Sequence, residues 1–233
     1  MIKKLKLCAK LTIRYCTDLI NGTLFKFASK REQKIDFNET ISIEQEIKPS
    51  ETFENKVFNL SLASQKINEY CIFPNEIFSF WKIVGNPNYG FKKGRSLLNG
   101  QLKEEIGGGL CQVSGIIYNV SVIGGLQILE RHNHSVDIYT EETRFTPLGL
   151  DATVVYGYKD LRIKNNFTFP IKFKLNISGN RIKADLLSTQ EIEKRKLSFE
   201  QEQEDNYVTV KVFEENKRIL NVSKYRKIKM SNN

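Results

Sequence analysis

The spacing of apolar residues predicts helices in the first half of the chain and strands in the second. Residues 2–20 and 55–70 repeat apolar side chains at steps of three and four, the period of one helix face. The segment 171–177 instead alternates apolar and polar residues, and Gly179-Asn180 then predicts a hairpin turn. The sequence therefore predicts an α+β fold, with an antiparallel sheet from the C-terminal half packed against helices.

Polar stretches divide the chain between and beyond these elements. Residues 30–54 are rich in charged side chains, which indicates a connecting segment, and residues 190–205 are also very polar. We predict a basic N-terminal helix with a connecting segment (1–54), a central domain (55–188) and a polar C-terminal extension (189–233). Further strands are predicted at 78–83, 151–156, 160–163 and 207–213.

The most informative segment is the run of glycines at 107–109, which is followed by Leu110, Cys111 and a long apolar stretch. Consecutive glycines permit an irregular backbone, and the apolar stretch predicts a buried helix. The predicted sheet would pack against this helix, which carries Cys111 near its N-terminus. There the free N–H groups and the helix dipole favour the thiolate. The alternative is a buried core cysteine.

The sequence contains only two histidines, His132 and His134. A strand through this segment would place both side chains on one face. An imidazole there is a candidate general base for Cys111, and Asp151 is a candidate group to orient it, as in cysteine hydrolases and acyltransferases. In a second hypothesis, Cys111 and both histidines bind zinc and leave one coordination position open. In a third, the histidines are ordinary polar residues at a strand entrance.

The net charge of +9 is concentrated near the N-terminus, which suggests an anionic neighbour. The sequence has no zinc-finger spacing, basic-zipper heptad or aromatic ribonucleoprotein motif, so nucleic acid is not a predicted partner. The helix at 2–20 either docks on its own domain or lies on an anionic membrane surface. Its predicted apolar stripe consists of Ile2, Leu5, Ala9, Ile13, Cys16 and Ile20.

No signal peptide or membrane span is predicted from the sequence. Lys6, Lys10 and Arg14 interrupt the apolar stretches near the N-terminus, and a signal peptide needs roughly 7–15 apolar residues in a row. A membrane-spanning helix would need about 20. We therefore expect a cytoplasmic protein with free thiols, peripheral to the inner membrane face if the first helix binds lipid.

Residues 55–188 resemble the VanW family of bacterial proteins. The most specific stretch is Gly-Gly-Gly-Leu-Cys-Gln-Val-Ser at 107–114. Gly115 follows it where similar proteins often carry a larger residue, which weakens the helix start by up to about 1 kcal/mol relative to Ala. The other similar stretches, in order, are 55–60, 74–81, 99–102, 130–134, 149–154 and 160–161.

The resemblance implies a connection to the bacterial cell wall. Some VanW domains are regarded as cysteine L,D-transpeptidases, which join peptidoglycan stem peptides through a thioester. By this resemblance Cys111 is the nucleophile, His134 is the general base and Asp151 orients the imidazole. The expected partner is a peptidoglycan peptide or precursor, and no cofactor is expected. The alternative is a non-catalytic accessory protein that binds wall precursors or the membrane surface. The expected substrate-binding residues are Gly107, Gly108, Gly109, Gln112, Ser114 and His132.

Overall fold

A computed structural model describes residues 2–30, 34–98, 101–137 and 146–227. Residues 99 and 100, from the 99–102 stretch of the family resemblance, lie outside the described residues. The helices are α1 (Ile2–Ile20), α2 (Phe53–Asn68), α3 (Phe80–Val84) and α4 (Leu110–Ile123). The first six strands are β1 (Glu39–Glu46), β2 (Ile77–Ser79), β3 (Lys93–Leu98), β4 (Gln101–Ile106), β5 (Gln127–Glu130) and β6 (Val136–Asp137). The others are β7 (Arg162–Lys164), β8 (Ile171–Ser178), β9 (Arg181–Ser188), β10 (Leu197–Gln203), β11 (Tyr207–Glu214) and β12 (Ile219–Lys227).

The strands form several small sheets. Their orders are β1-β9-β8, β10-β11-β12-β6 and β2-β7-β5, and β3 and β4 form a hairpin. All of these neighbours pair antiparallel except β12 and β6. The α+β class with antiparallel sheets is confirmed, although the strands do not join into the one sheet that we expected.

Helix α4 lies at the centre of the core. It is mostly apolar and buried on nearly all sides, and a helix of that kind is stable in water only when it is covered all round. Helix α2 and strands β1, β5 and β9 contact it, and Val113, Ile116, Ile117 and Val120 are fully buried. The N-terminus of α4 follows the glycine loop, so the core fixes the position of that loop.

Several predicted elements are confirmed, and two regions that we expected to be irregular contain strands. The predicted helices at 2–20 and 55–70 correspond to α1 and α2, and the predicted hairpin is β8 and β9. Strand β1 lies inside the predicted connecting segment 30–54. It alternates buried Ile41 and Gln45 with exposed polar residues, Thr40, Ser42 and Glu44, as an edge strand does. Strands β10 and β12 lie in the predicted polar extension.

Two predicted strands are wrong in part. The Ser79 side chain accepts a hydrogen bond from the Lys82 N–H and caps α3, so Phe80 begins a helix instead of continuing the strand at 78–83. Residues 151–154 form no strand. Their backbone is engaged by side chains instead: Ser114 donates to the carbonyl of Ala152, and the Cys111 sulfur lies 3.8 Å from the carbonyl oxygen of Val154.

Helix α1 docks through the face opposite to its predicted apolar stripe. Leu7 and Leu11 pack against Gly157, where an added Cβ would lie 2.4 Å from Leu7 Cδ1. Arg14 forms an ion pair with Glu130 at 2.6 Å, and Asp18 forms one with Arg162 at 2.6 Å. The outer stripe stays in solvent, since Ile2, Leu5, Ile13 and Ile20 are between 58% and 83% exposed. No helix in the described ranges has the length and apolarity to cross a bilayer.

The close approach of Gly94 and Gly108 gives a test of the fold. A Cβ added at Gly108 would lie 2.2 Å from the carbonyl carbon of Gly94, and backbone cannot move aside as a side chain can. We expect Gly108→Ala to lower the free energy of unfolding in urea by about 1–3 kcal/mol. Gly115→Ala is the matched control. Its Cβ would meet only an ordinary contact at 3.7 Å, and a mid-helix alanine should stabilise by about 0.5–1 kcal/mol. Equal midpoints for wild type and Gly108→Ala would contradict the close approach.

Candidate active site

Cys111 is the second residue of α4, directly after the glycine loop. Gly109 adopts a left-handed conformation, with φ of 99°, which allows the chain to turn sharply into the helix. The N–H groups of Leu110 and Gln112 donate to carbonyls of the loop. The Cys111 N–H between them has no acceptor among the described residues. The thiol is half-buried, 3.4 Å from Thr153 Oγ1 and 3.8 Å from the Val154 carbonyl oxygen.

Helix α2 holds the glycine loop in place. Asn59 is fully buried, and its Nδ2 donates to the Gly108 carbonyl at 3.0 Å and to the Lys92 carbonyl at 2.9 Å. Its Oδ1 accepts from the Lys92 N–H at 2.8 Å. One side chain therefore joins α2, the loop and the segment before β3. No role for Asn59 is predicted from the sequence, because nothing in it shows which backbone groups the side chain of a helical asparagine contacts.

His134 lies between the Cys111 thiol and the Asp151 carboxylate. Its Nδ1 is 2.6 Å from Asp151 Oδ2, and its backbone N–H donates to the same oxygen at 2.7 Å. The imidazole also lies close enough to the Cys111 thiol for each group to shift the pKa of the other. The structure thus brings together the three residues that the sequence analysis singled out, from α4 and from two irregular segments.

The other Asp151 oxygen is held by two residues that the sequence analysis missed. Arg131 Nη2 donates to Oδ1 at 2.9 Å, and the Tyr225 hydroxyl donates to the same atom. Arg131 Nε also donates to the Asp151 carbonyl at 2.7 Å. Arg131 belongs to the 130–134 stretch of the family resemblance and could have been singled out there. Tyr225 lies in the C-terminal extension, far from any such signal.

The charges of these groups reinforce one another. Burial alone would raise the pKa of Asp151, but the bonds from His134 and the charge of Arg131 lower it to about 2. Burial would lower the pKa of His134, but its contacts with Asp151 and Cys111 raise it above its ordinary value. Burial would raise the pKa of Cys111, but its hydrogen bond with His134 and the charge there lower it. A thiolate beside an imidazolium is the favoured state.

A cleft of about 750 Å³ opens at these three residues. Three of the expected substrate-binding residues, Gly107, Gly109 and Gln112, line it. Gln112 Nε2 donates to the Glu46 carbonyl at 2.8 Å, whereas its buried Oε1 has no partner in the described part of the chain. The other three, Gly108, Ser114 and His132, do not line the cleft.

The two histidines have different partners, contrary to the expectation that one strand would place them on one face. His132 Nε2 lies 3.1 Å from Glu130 Oε1, away from Cys111. The reason is that residues 131–134 form no strand: Asn133 donates to the Lys224 carbonyl and the His134 N–H to Asp151. Within the described ranges no three His, Cys, Asp or Glu side chains group as metal ligands would.

Comparisons with known proteins identify the family to which this site belongs. The sequence model described as "VanW like protein" matches residues 55–187, which confirms the resemblance expected over 55–188. "Uncharacterized protein YoaR" of Bacillus subtilis (strain 168) is 35% identical over 144 residues, which are 61% of this chain and 46% of that protein. "Vancomycin B-type resistance protein VanW" of Enterococcus faecalis (strain ATCC 700802 / V583) is 38% identical over 115 residues, 48% of this chain and 42% of that protein. The match thus spans less than half of either relative. No solved structure matches this chain.

The thiolate–imidazolium pair predicts an unusual pH dependence of alkylation at Cys111. We expect iodoacetamide to label Cys111 with an apparent pKa below the free-thiol value of about 8.5. In His134→Ala the hydrogen bond and the charge are lost while burial remains, so the apparent pKa should rise above that of wild type. Mass spectrometry of the digest gives the rate at each cysteine, and the exposed Cys8 and Cys16 in the same sample report reagent activity. Identical profiles for both proteins would exclude the pair.

Proposed function

This chain belongs to the VanW family, and we propose that it is a thiol-dependent acyltransferase or hydrolase acting on peptidoglycan peptides or their precursors. The observation that supports this most is the grouping of three residues at one cleft: His134 is hydrogen-bonded to Asp151, and it lowers the pKa of Cys111. One relative is named for vancomycin resistance, and the cell-wall association that we propose for this chain is consistent with that name.

In the first step of the proposed reaction the Cys111 thiolate attacks the carbonyl carbon of a peptide bond. A C–S bond forms, and the carbonyl oxygen becomes an oxyanion that the free N–H of Cys111 can stabilise. The C–N bond then breaks, and His134 gives its proton to the leaving amine. The position of the thiol at the N-terminus of α4 adds the helix dipole to the stabilisation of the thiolate.

In the second step an amine or a water molecule attacks the resulting thioester. Neutral His134 takes a proton from this nucleophile, the C–S bond breaks, and the Cys111 thiolate and the protonated imidazole are restored. An amine from a second stem peptide would give an L,D-transpeptidase, the activity expected from the family resemblance, and water would give a hydrolase. Asp151 stays ionised throughout and orients the ring through Nδ1.

Substitution of the nucleophile tests this function. With synthetic stem tetrapeptides we expect intact-mass spectrometry to find an acylated wild-type protein and no adduct on Cys111→Ala, and turnover to fall by at least about 1,000-fold. Cys16→Ala is the matched control, because it removes an exposed thiol outside the cleft. Circular dichroism would check that both variants are folded. An adduct that persists on Cys111→Ala would refute the proposed nucleophile.

A second candidate function is attachment to an anionic membrane surface through α1. The observation in its favour is the exposed stripe that includes Ile2, Leu5, Ile13 and Ile20, on the face directed away from the domain. Lys4, Lys6 and Lys10 are exposed on the same helix, and such a combination of apolar and basic residues is typical of helices in the membrane interface. This attachment would suit a non-catalytic accessory protein as well as an enzyme.

Vesicle binding tests the membrane attachment. We expect sedimentation with vesicles that contain phosphatidylserine but not with phosphatidylcholine alone. Ile13→Ser should weaken this binding by roughly tenfold, because burial of an isoleucine side chain contributes about 1.5–3 kcal/mol. Thr12→Ser is the matched control at the adjacent, exposed position. If both variants bind as wild type does, the stripe does not enter the membrane.

A further inference from the structure

One wall of the Cys111 cleft carries two cations, Lys56 and Arg95, that have no acidic partner among the described residues. Both residues line the cleft together with Cys111. Two further cations line the cleft: Lys48, which is paired with Glu46, and Lys6 of α1. Neither Lys56 nor Arg95 forms an ion pair with a carboxylate in the described part of the chain. Two unpaired positive charges at one wall therefore require an explanation.

The backbone places both residues near the glycine loop that precedes Cys111. The stem of Lys56 lies across the glycine loop, so that a Cβ added at Gly109 would be 2.8 Å from Lys56 Cγ. Helix α2 is joined to β3 by two bonds: the Arg95 N–H donates to Thr52 Oγ1 at 3.0 Å, and Asn55 Nδ2 donates to the Lys93 carbonyl at 2.9 Å. These bonds place the backbone of Arg95 beside the first turn of α2, which carries Lys56.

The two positive charges destabilise each other. Burial, and after it the charge of Arg95, lower the pKa of Lys56 to about 8. An anion bound between them would relieve this repulsion, and a guanidinium can bind a carboxylate or a phosphate through two parallel hydrogen bonds.

We propose that Lys56 and Arg95 form an anion-binding subsite of the Cys111 cleft. This subsite binds a carboxylate or a phosphate of the substrate. The subsite specifies an anionic class of substrate, and to call the bound anion a substrate rests on the proposed function. A stem peptide would supply a carboxylate, and a precursor linked to a carrier would supply a phosphate. Both groups offer the same oxygen acceptors to the two cations.

Two alkylating reagents of similar size and different charge test the subsite without a known substrate. We measure the rate of Cys111 labelling by iodoacetate, which is anionic, divided by the rate with neutral iodoacetamide. Lys56→Gln and Arg95→Gln should each lower this ratio on the order of fivefold, because they remove charge that concentrates the anion. Lys174→Gln is the matched control, since it removes one exposed lysine charge outside the cleft. A ratio that is equal in all four proteins overturns the proposal.

Protection experiments then identify the anionic group. N-acetyl-D-alanine and inorganic pyrophosphate are each tested for slowing the reaction of Cys111 with iodoacetamide, and N-acetyl-D-alanine amide is the uncharged control. Protection by N-acetyl-D-alanine indicates a carboxylate subsite, and protection by pyrophosphate indicates a phosphate subsite. In either case the protection should be lost in Arg95→Gln. Equal protection by N-acetyl-D-alanine and its amide, with none by pyrophosphate, contradicts an anion subsite.

Failure of the proposed function can be distinguished from failure of the subsite. If Cys111 reacts with neither alkylating reagent, the nucleophile proposal fails, and the subsite is then judged by calorimetric titration with pyrophosphate and N-acetyl-D-alanine. Binding that is lost in both Lys56→Gln and Arg95→Gln supports the subsite, whereas binding equal to wild type, or no binding to wild type, overturns it. If Cys111 reacts normally but the reagent ratio does not change, only the subsite is wrong.

Discussion

The carboxylate of Asp151 is the group on which the candidate site depends. It is nearly buried and ionised, and a buried charge is tolerated only when it is paired and hydrogen-bonded. Four donors meet this requirement: the backbone and ring of His134, the guanidinium of Arg131 and the hydroxyl of Tyr225. Because these donors come from two distant segments of the chain, residues 131–134 and β12, satisfying one charge joins the central domain to β12. Removal of any donor would leave part of that charge uncompensated.

Contacts with the site also explain why residues 151–154 do not join a sheet. Two of their carbonyls accept hydrogen bonds from Arg131 and Ser114, and the Cys111 sulfur lies against a third. A strand partner would compete for these carbonyls. Ser114 is fully buried below the cleft and donates to the Ala152 carbonyl at 2.7 Å, so a residue expected to bind substrate instead ties α4 to this segment.

The sequence contained enough information to suggest the central chemistry, because Cys111, His134 and Asp151 each occur in a short and distinctive stretch. It did not reveal Tyr225, Lys56 or Arg95, whose roles arise only from contacts between elements that are distant along the chain. Strands β1 and β12 were missed because polar residues, Gln45 and Ser223, occupy buried positions on their inner faces and interrupt the apolar period. The spacing of apolar residues also located the stripe of α1. It could not show that ion pairs of Arg14 and Asp18 hold the opposite face of α1 against the domain.

The two candidate functions use different faces of α1 and are therefore compatible. The inner face packs on the domain, and Lys6 and Leu7 reach the lining of the cleft. The outer stripe is free, as far as the described residues show, to meet a lipid surface. If the stripe binds lipid, the cleft and the membrane lie on opposite sides of α1. A helix with its side chains is about 10–12 Å in diameter. A substrate anchored in that membrane would then need only a short extension to present its anionic group to Lys56 and Arg95 and its carbonyl to Cys111.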